Sequence, residues 1–487
     1  MNRSSKTDFR PVFMVCGLTV ALFAAIMLIP ALVDFLYDGK SWVVFLESAG
    51  VCFFLGLAMF FSTRTEIKTI SVKQAFLFTV LVWVMLTVTA SLPFYIFLFP
   101  NSYVNAFFES ISGLSTTGST VITGLDDMSK GILLWRSILH CIGGVGIVVV
   151  AFSVFPYFRV GGMQIFQMES SENFGKISAK MGAMAKAIIL VYFILQILCT
   201  ILLRLAGMSW FDAINHAMSA LSTGGFSTKD ASVGYYNNPL YEFIIMIFVI
   251  SAGLPLTYYV RLFKRGNVHS AQDTQVLAYL GSLAVCILIV TFAVFYEGKY
   301  SFIQSLRHAS FNVSSLFNGT GFASQDYSKW GFLSVAMFMF FPFIGGCTGS
   351  TAGSIKIFRW QILLRYLKES IVQLFLPHRV VKMKYGRETY TTDLVLSVAM
   401  FFAVFIISWG VLSILVALTG VDLVTSLTSV ASSLGNVGPG LGDIVGPAGN
   451  YLPLPDAAKW WLSLAMMAGR LEIFTLLVLF MPAYWRD

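Results

Sequence analysis

Charge is scarce in this chain: Asp, Glu, Lys and Arg together make up 11% of its 487 residues. With 57% of the residues hydrophobic, an ordinary soluble globule is excluded, because no soluble interior of this size hides so much apolar surface. The six cysteines, Cys16, Cys52, Cys141, Cys199, Cys286 and Cys347, follow no disulfide or metal spacing. Most stand in apolar stretches as small fillers, so redox chemistry is not expected. Histidine numbers five, and His140 and His216 lack companions at a metal-ligand spacing; both read as packing or hydrogen-bonding groups. There is no Ser/His/Asp nucleophile arrangement and no paired carboxylate motif, so the chain is not expected to be an enzyme.

What the chain has is long apolar runs. Ten are long enough to cross a hydrocarbon layer: roughly 12–33, 43–61, 75–99, 132–156, 183–206, 239–261, 274–296, 330–359, 392–419 and 458–482. The first is too long for a signal-peptide core and is kept as a span. An even number puts both termini on one side. Basic residues decide which side, because positively charged loops stay in the cytoplasm. Arg3, Lys6, Arg10, Arg64, Lys68, Lys73, Arg159, Lys176, Lys180, Arg261, Lys264, Arg265 and the run from Arg359 to Arg387 fall on one side, and few on the other. Both termini are therefore expected in the cytoplasm. This bias accounts for the net charge of +8 without nucleic acid. Acids such as Asp126, Asp127, Asp230, Asp326 and Asp443 populate the opposite side, as a cation-attracting vestibule or as ordinary solubilising surface.

An internal repeat lies between the runs. Four segments align on a glycine: NAFFESISGLSTTGST at Gly118, DAINHAMSALSTGGFS at Gly225, HASFNVSSLFNGTGFA at Gly321 and TSVASSLGNVGPG at Gly438. Six residues earlier stands a serine in each, Ser112, Ser219, Ser315 and Ser432. Four residues earlier stands a large apolar residue, Leu114, Leu221, Phe317 and Leu434. An apolar stretch this short cannot cross about 30 Å of hydrocarbon at 1.5 Å per residue; it can enter and return. Irregular backbone at that depth survives where protein, water or ions meet its carbonyls. Four such loops around one axis would ring an ion path with carbonyl oxygens, and the glycine admits backbone that a Cβ would hinder. Thr117, Thr320 and Val437, just before the glycine, are expected to pack away from the axis; Gly224 takes that place in the second repeat. Glu109 reads either as an ion-attracting acid or as a hydrogen-bonding group behind the loop.

Two further features stand out. GGCTGSTAGS, from Gly345 to Ser354, is too polar and small for an uninterrupted lipid-facing helix, and a break is expected. It is no Walker A loop, since no GK[ST] closes it. Arg470 lies on the last span, either facing a water-filled cavity or anchoring at headgroups. Glu472, two positions on, would point elsewhere on a straight helix. Pro255 is expected to kink the span at 239–261.

The loops STTGST, STGGFST, NGTGF and NVGPG, with WRSILHCIGGVGIVV, FIGGCTGSTAGSIKIFR and AGRLEIFTLLVLF, resemble the Trk/Ktr/HKT superfamily of potassium and sodium transport proteins over nearly the full chain. The similarity is greatest to its bacterial Trk-type potassium uptake membrane subunit, of the TrkH or TrkG kind. That resemblance implies an all-α polytopic membrane protein with four repeats of M1, pore helix and M2 around a pseudo-fourfold pore, plus two N-terminal transmembrane helices. The division is 1–70 for the N-terminal pair, then 71–160, 161–266, 267–387 and 388–487.

The family's selectivity filter would fall on Thr116, Thr117, Gly118, Thr223, Gly224, Gly225, Gly319, Thr320, Gly321, Asn436, Val437 and Gly438. Potassium would pass the carbonyls of Thr116, Thr117, Thr223, Gly224, Gly319, Thr320, Asn436 and Val437. Glycine at all four aligned positions favours K+ over Na+ within the family. The intramembrane gate would be Gly345, Gly346, Cys347, Thr348, Gly349, Ser350, Thr351, Ala352 and Gly353, with Arg470 as an electrostatic barrier. The resemblance further implies a homodimer in the bacterial inner membrane, in contact with lipid, and a cytoplasmic TrkA-like regulatory subunit. Nucleotide would be held by that subunit and not by this chain. A gated channel is the leading reading; a symporter coupling K+ to H+ or Na+ is the alternative.

Overall fold

Where water is absent, a backbone must satisfy its hydrogen bonds within the protein, and long apolar runs do so as helices. The computed structural model describes residues 8–66, 71–153, 174–265, 274–378, 384–385, 388–389 and 392–486. Side chains at 147–153, 174–181, 263–265, 384, 388 and 389 are not described. Among the described residues the protein is all-α apart from a minimal antiparallel ladder pairing Lys384 with Thr389 and Tyr385 with Glu388. Among the described residues six helices are long and apolar enough to cross a membrane, or eight if two sharply bent pairs each count as one span, fewer than the ten runs expected. The expected divisions at 70, 160, 266 and 387 fall on residues outside this description, as do Arg3, Lys6, Lys68, Arg159, Arg379, Lys382 and Arg387.

Four copies of one unit follow an N-terminal pair. That pair, Arg10–Ile26 continued by Leu28–Leu36, and Trp42–Ser62, packs closely: a Cβ on Gly17 would stand 2.7 Å from the Gly56 carbonyl oxygen. Each unit then runs outer helix, short helix, glycine turn, inner helix. The outer helices are Val72–Phe97, Phe174–Leu205, Thr274–Tyr296 and Thr392–Ala417. The short helices are Tyr103–Leu114, Trp210–Leu221, Phe302–Phe317 and Leu423–Gly435. Each begins at a side-chain oxygen that accepts a first-turn amide: Ser102 from Asn105, Ser209 from Asp212, Ser301 from Gln304 and Asp422 from Thr425. Such caps hold a short helix that would not persist alone.

The inner helices depart from the expected straight spans. Lys130–Ser153 is continuous. The second breaks between Pro239–Ala252 and Leu256–Arg265 with a bend of 93°, sharper than the kink expected at Pro255. The third is no single span over 330–359: Phe332–Phe340 ends in a 3-10 turn, irregular chain follows, and Ile357–Phe375 resumes. The fourth breaks between Asp456–Arg470 and Ile473–Phe480, bending by 111° where a straight helix was expected. Glu472, at the break, has φ +60°.

The first and fourth repeats share one apolar core with the N-terminal helices, while the second and third have their own. Large apolar side chains cover the outward faces, among them Leu22, Leu190, Ile197, Leu277, Phe292 and Ile407. Lipid is the solvent such a surface fits.

Candidate functional site

The four glycine turns share one backbone design. Each short helix ends with a left-handed residue two positions before the aligned glycine: Thr116 (φ +53°), Thr223 (+55°), Gly319 (+72°) and Asn436 (+54°). The following amide then reaches back to the aligned serine carbonyl, Thr117 to Ser112 at 2.9 Å, Gly224 to Ser219 at 2.9 Å, Thr320 to Ser315 at 2.7 Å and Val437 to Ser432 at 2.9 Å. This is the Schellman ending of a helix, repeated four times. The serine spacing seen in the sequence marks the residue whose carbonyl closes the cap. The glycines themselves are left-handed, at +89°, +80°, +83° and +108° for Gly118, Gly225, Gly321 and Gly438. In each turn two residues of positive φ thus flank one outside that region, an alternation that turns the chain sharply at the end of the short helix.

The turns also close into a ring. A Cβ on Gly118 would overlap the Gly224 carbonyl oxygen, one on Gly225 that of Thr320, and one on Gly321 that of Val437. A Cβ on Gly438 would lie 2.7 Å from the Thr117 carbonyl oxygen. Each repeat thus abuts the next, and the fourth returns to the first. Among the described hydrogen bonds, none is donated to the carbonyl oxygens of Thr116, Thr117, Thr223, Gly224, Gly319, Thr320, Asn436 or Val437. These eight acceptors, all on buried residues, are free to meet another partner.

The side chains behind the ring are tightly held. Thr117 Oγ1 meets Ser115 Oγ at 2.7 Å and accepts from Asn436 Nδ2 at 3.0 Å, and Val437 packs into the apolar core of the third repeat. A polar residue nine positions before three of the glycines grips the chain as it leaves the turn. Glu109 accepts from the Val121 amide at 2.9 Å, His216 Nε2 meets Ser227 Oγ at 2.9 Å, and Asn312 accepts from the Ser324 amide at 3.1 Å. In the fourth repeat Thr428, one residue earlier, accepts from the Leu441 amide at 3.1 Å. Glu109 is therefore the hydrogen-bonding group of its two readings, and it is ion-paired with Arg136 at 2.8 Å. His140 stacks on Phe226 at 4.1 Å and contacts Ser219 Oγ at 3.2 Å. Neither histidine has metal partners, and no group of three or more His, Cys, Asp or Glu able to hold a metal occurs among the described residues.

The small-residue segment of the third repeat lies directly against this ring. Thr351 Oγ1 donates to the Leu221 carbonyl at 3.0 Å, at the end of the second short helix, and a Cβ on Gly353 would stand 2.5 Å from the Gly435 carbonyl oxygen. The segment also fills the break in the second inner helix. The Cys347 amide donates to the Gly253 carbonyl at 2.8 Å, and the Leu256 amide to the Gly349 carbonyl at 3.0 Å. Gly345 pairs with Ile355 at 2.9 Å, a Cβ on Gly346 would meet the Gly253 carbonyl, and the Thr348 amide donates to Gln275 Oε1 at 2.6 Å. Ser350 turns back onto the Cys347 carbonyl, and Lys356 Nζ donates to that of Ala352.

Arg470 completes the assembly. It is 4% exposed, which rules out a headgroup anchor, and donates to the Thr351 carbonyl at 2.9 Å and the Gly143 carbonyl at 3.0 Å. Because the helix ends at Arg470, Glu472 turns away and pairs with Arg359 at 2.7 Å; Arg359 also lies 3.7 Å over the Phe401 ring. The acids of the opposite face do less than a vestibule would ask. Asp34 is buried and accepts from Ser41 and Gly131 amides, Asp230 accepts from the Leu125 amide, and Asp126 pairs with Lys229. The sequence marked Arg359 only as the start of a basic run, whereas it is buried and paired, and it did not single out Arg136, Asn312 or Thr428. The regular offset from each glycine was the available signal for Asn312; for the arginines it was charge within apolar surroundings.

Comparison with known proteins agrees with this architecture. The family described as TrkH, cation transport protein, matches residues 42–486. The chain is 38% identical over 483 residues to the Trk system potassium uptake protein TrkI of Halomonas elongata, covering 98% of this chain and 96% of that one. It is 34% identical to the Trk system potassium uptake protein TrkH of Escherichia coli K12, covering 98% and 100%. The crystal structure of the potassium transporter TrkH from Vibrio parahaemolyticus superimposes with a TM-score of 0.91 at 34% identity, covering 99% of this chain and 100% of that one. The chain belongs to the TrkH family of cation transport proteins, and is a transport protein and not an enzyme.

Proposed function

We propose that the protein carries potassium into the cell across the bacterial inner membrane, through a filter at the glycine ring and past a gate formed by residues 345–353 and Arg470. The observation that carries this reading is the ring itself: each aligned glycine lies against a carbonyl of the next repeat, and the carbonyls at the two preceding positions are unused by the protein. A dehydrated monovalent cation needs a cage of neutral oxygens, and backbone carbonyls supply one without fixed charge. Potassium is the cargo named for the relatives, and glycine at all four positions supports the same cargo here.

The gate reading rests on charge and packing. The small-residue segment is buried against the ring, and Arg470 bridges it to the first inner helix. A fixed cation beside the path opposes a mobile one. Passive, gated flow is favoured over coupled symport because Glu109, a buried carboxylate on the first short helix, is paired with Arg136 instead of standing free to exchange protons. We read the chain as an N-terminal pair, 1–70, and repeats at 71–160, 161–266, 267–387 and 388–487, working as a homodimer with cytoplasmic termini. Control comes from a TrkA-like nucleotide-binding subunit on the basic face, and this chain binds no nucleotide itself. The test is growth and Rb+ or K+ uptake in cells lacking their own potassium uptake systems. The chain restores both, and Gly225→Ser or Gly321→Ser, still present in the membrane, does not.

A further inference from the structure

We infer that Arg136 is a positioning residue for ion selectivity, holding the first two filter strands at a fixed separation. This rests on the glycine ring being the filter. Thr120 and Ser227 stand at equivalent places, two residues after Gly118 and Gly225 on adjacent strands. Arg136 touches both: its NH1 donates to the Ser227 carbonyl at 2.8 Å and its NH2 to Thr120 Oγ1 at 3.3 Å. Its Nε pairs with Glu109 Oε1 at 2.8 Å, and the same carboxylate accepts from Thr120 Oγ1 at 3.0 Å and the Val121 amide at 2.9 Å. One planar guanidinium thus spans the seam with its donors in a rigid fork, a geometry that lysine does not reproduce.

The fork is fixed from a second direction. The guanidinium lies 4.0 Å over the ring of Phe226, the residue after Gly225, and His140 stacks on that ring at 4.1 Å. His140 also occupies the space a Cβ on Gly224 would need. Arg136 and Glu109 are 1% and 0% exposed, so neither reaches lipid or bulk water to relax. At the seam between the fourth and first repeats the links are neutral, Ser119 Oγ to the Gly438 carbonyl at 2.9 Å and Asn436 Nδ2 to Thr117 Oγ1 at 3.0 Å. At the seam between the first and second repeats the bond that crosses, to the Ser227 carbonyl, comes from an ionised donor, and such a bond is about twice as strong as a neutral one. The spacing of the carbonyl oxygens sets how well the cage fits each ion, and loosening this seam lets the oxygens close on the smaller Na+.

The test is the K+ to Na+ permeability ratio, from reversal potentials of the purified full chain in planar bilayers under bi-ionic conditions. The variants are Arg136→Lys, Glu109→Gln and Phe226→Leu, with Gly438→Ser, at the least crowded of the four glycines, as the filter comparator. The inference predicts that Arg136→Lys lowers the ratio about tenfold, the scale of one charge-assisted hydrogen bond, with Glu109→Gln and Phe226→Leu lowering it less. Elution as the wild-type species on size exclusion qualifies each variant. Should Arg136→Lys fail to fold, the two milder variants decide. If Gly438→Ser lowers the ratio while folded variants of Arg136, Glu109 and Phe226 keep the wild-type value, the positioning role is overturned and the filter stands. If none of the four changes it, the filter reading falls and this inference with it.

Discussion

The guanidinium of Arg470 donates to the carbonyl oxygen of Thr351 at 2.9 Å, tying the inner helix of the fourth repeat to the irregular segment of the third. Its second bond, to the Gly143 carbonyl at 3.0 Å, brings in the first repeat. One side chain therefore joins three of the four repeats beside the ring. Hydrogen bonds from a charged donor contribute about 1.5–3 kcal/mol each, and every 1.4 kcal/mol is a tenfold change in an equilibrium. Arg470→Gln is expected to raise open probability in single-channel records by at least about tenfold. An unchanged open probability in correctly folded protein contradicts the gating role.

Arg359 and Glu472 make a different kind of link. Their 2.7 Å pair joins the helix that resumes after the irregular segment to the break in the last inner helix, and the Arg359 side chain is 5% exposed. Removing one partner of a buried pair costs up to about 3–5 kcal/mol, and the partly exposed Glu472 puts this pair toward the lower end. Glu472→Ala should therefore lower the thermal midpoint in detergent more than Arg359→Lys, which keeps a charge for the glutamate. Equal midpoints for wild type and Glu472→Ala would show that the pair does not hold the break.

The four aligned glycines are not equally crowded. A Cβ overlaps a neighbouring carbonyl oxygen at Gly118, Gly225 and Gly321, but stands 2.7 Å from one at Gly438. A left-handed L residue costs about 1–2 kcal/mol in any case, so the difference between sites comes from the clash. Alanine at Gly118, Gly225 or Gly321 is expected to abolish potassium uptake, and Gly438→Ala to leave a measurable rate. Uptake by Gly225→Ala at the wild-type rate would contradict the close approach.

Gly319 offers the opposite expectation. Its φ of +72° matches Thr116, Thr223 and Asn436 at the same place, and the nearest atom to an added Cβ is 3.5 Å away. The conformation is thus one that this fold already asks of three other side chains. Gly319→Asn should cost under about 1 kcal/mol, because asparagine tolerates the left-handed region. Uptake near the wild-type rate is the expected result, and loss of transport would show that space beyond Cβ is missing.

What could be read from the sequence was whatever repeats or spans. The glycine and serine offsets located the four turns, and the structure shows why they recur: each serine carbonyl closes a Schellman ending, which is local chemistry. Apolar runs located the helices, and GGCTGSTAGS announced its own break. The break after Arg470 was not readable, since AGRLEIFT lacks proline and its turn is held by Arg359, 113 residues away from Glu472 in the chain. The left-handed Thr116 and Thr223 were hidden for the same reason: threonine avoids that conformation unless its surroundings impose it. The pairing of Glu109 with Arg136 depended on which faces the two helices turn to each other, and composition does not carry that information.

The central claim is a passive potassium path through the glycine ring. It is tested most directly by the reversal potential of the purified protein in planar bilayers, under separate K+, Na+ and H+ gradients, with and without the cytoplasmic regulatory subunit. The account predicts a potential that follows the K+ gradient alone, unmoved by H+. A potential that shifts with H+ or Na+ in fixed proportion to K+ would contradict it and make the protein a coupled transporter.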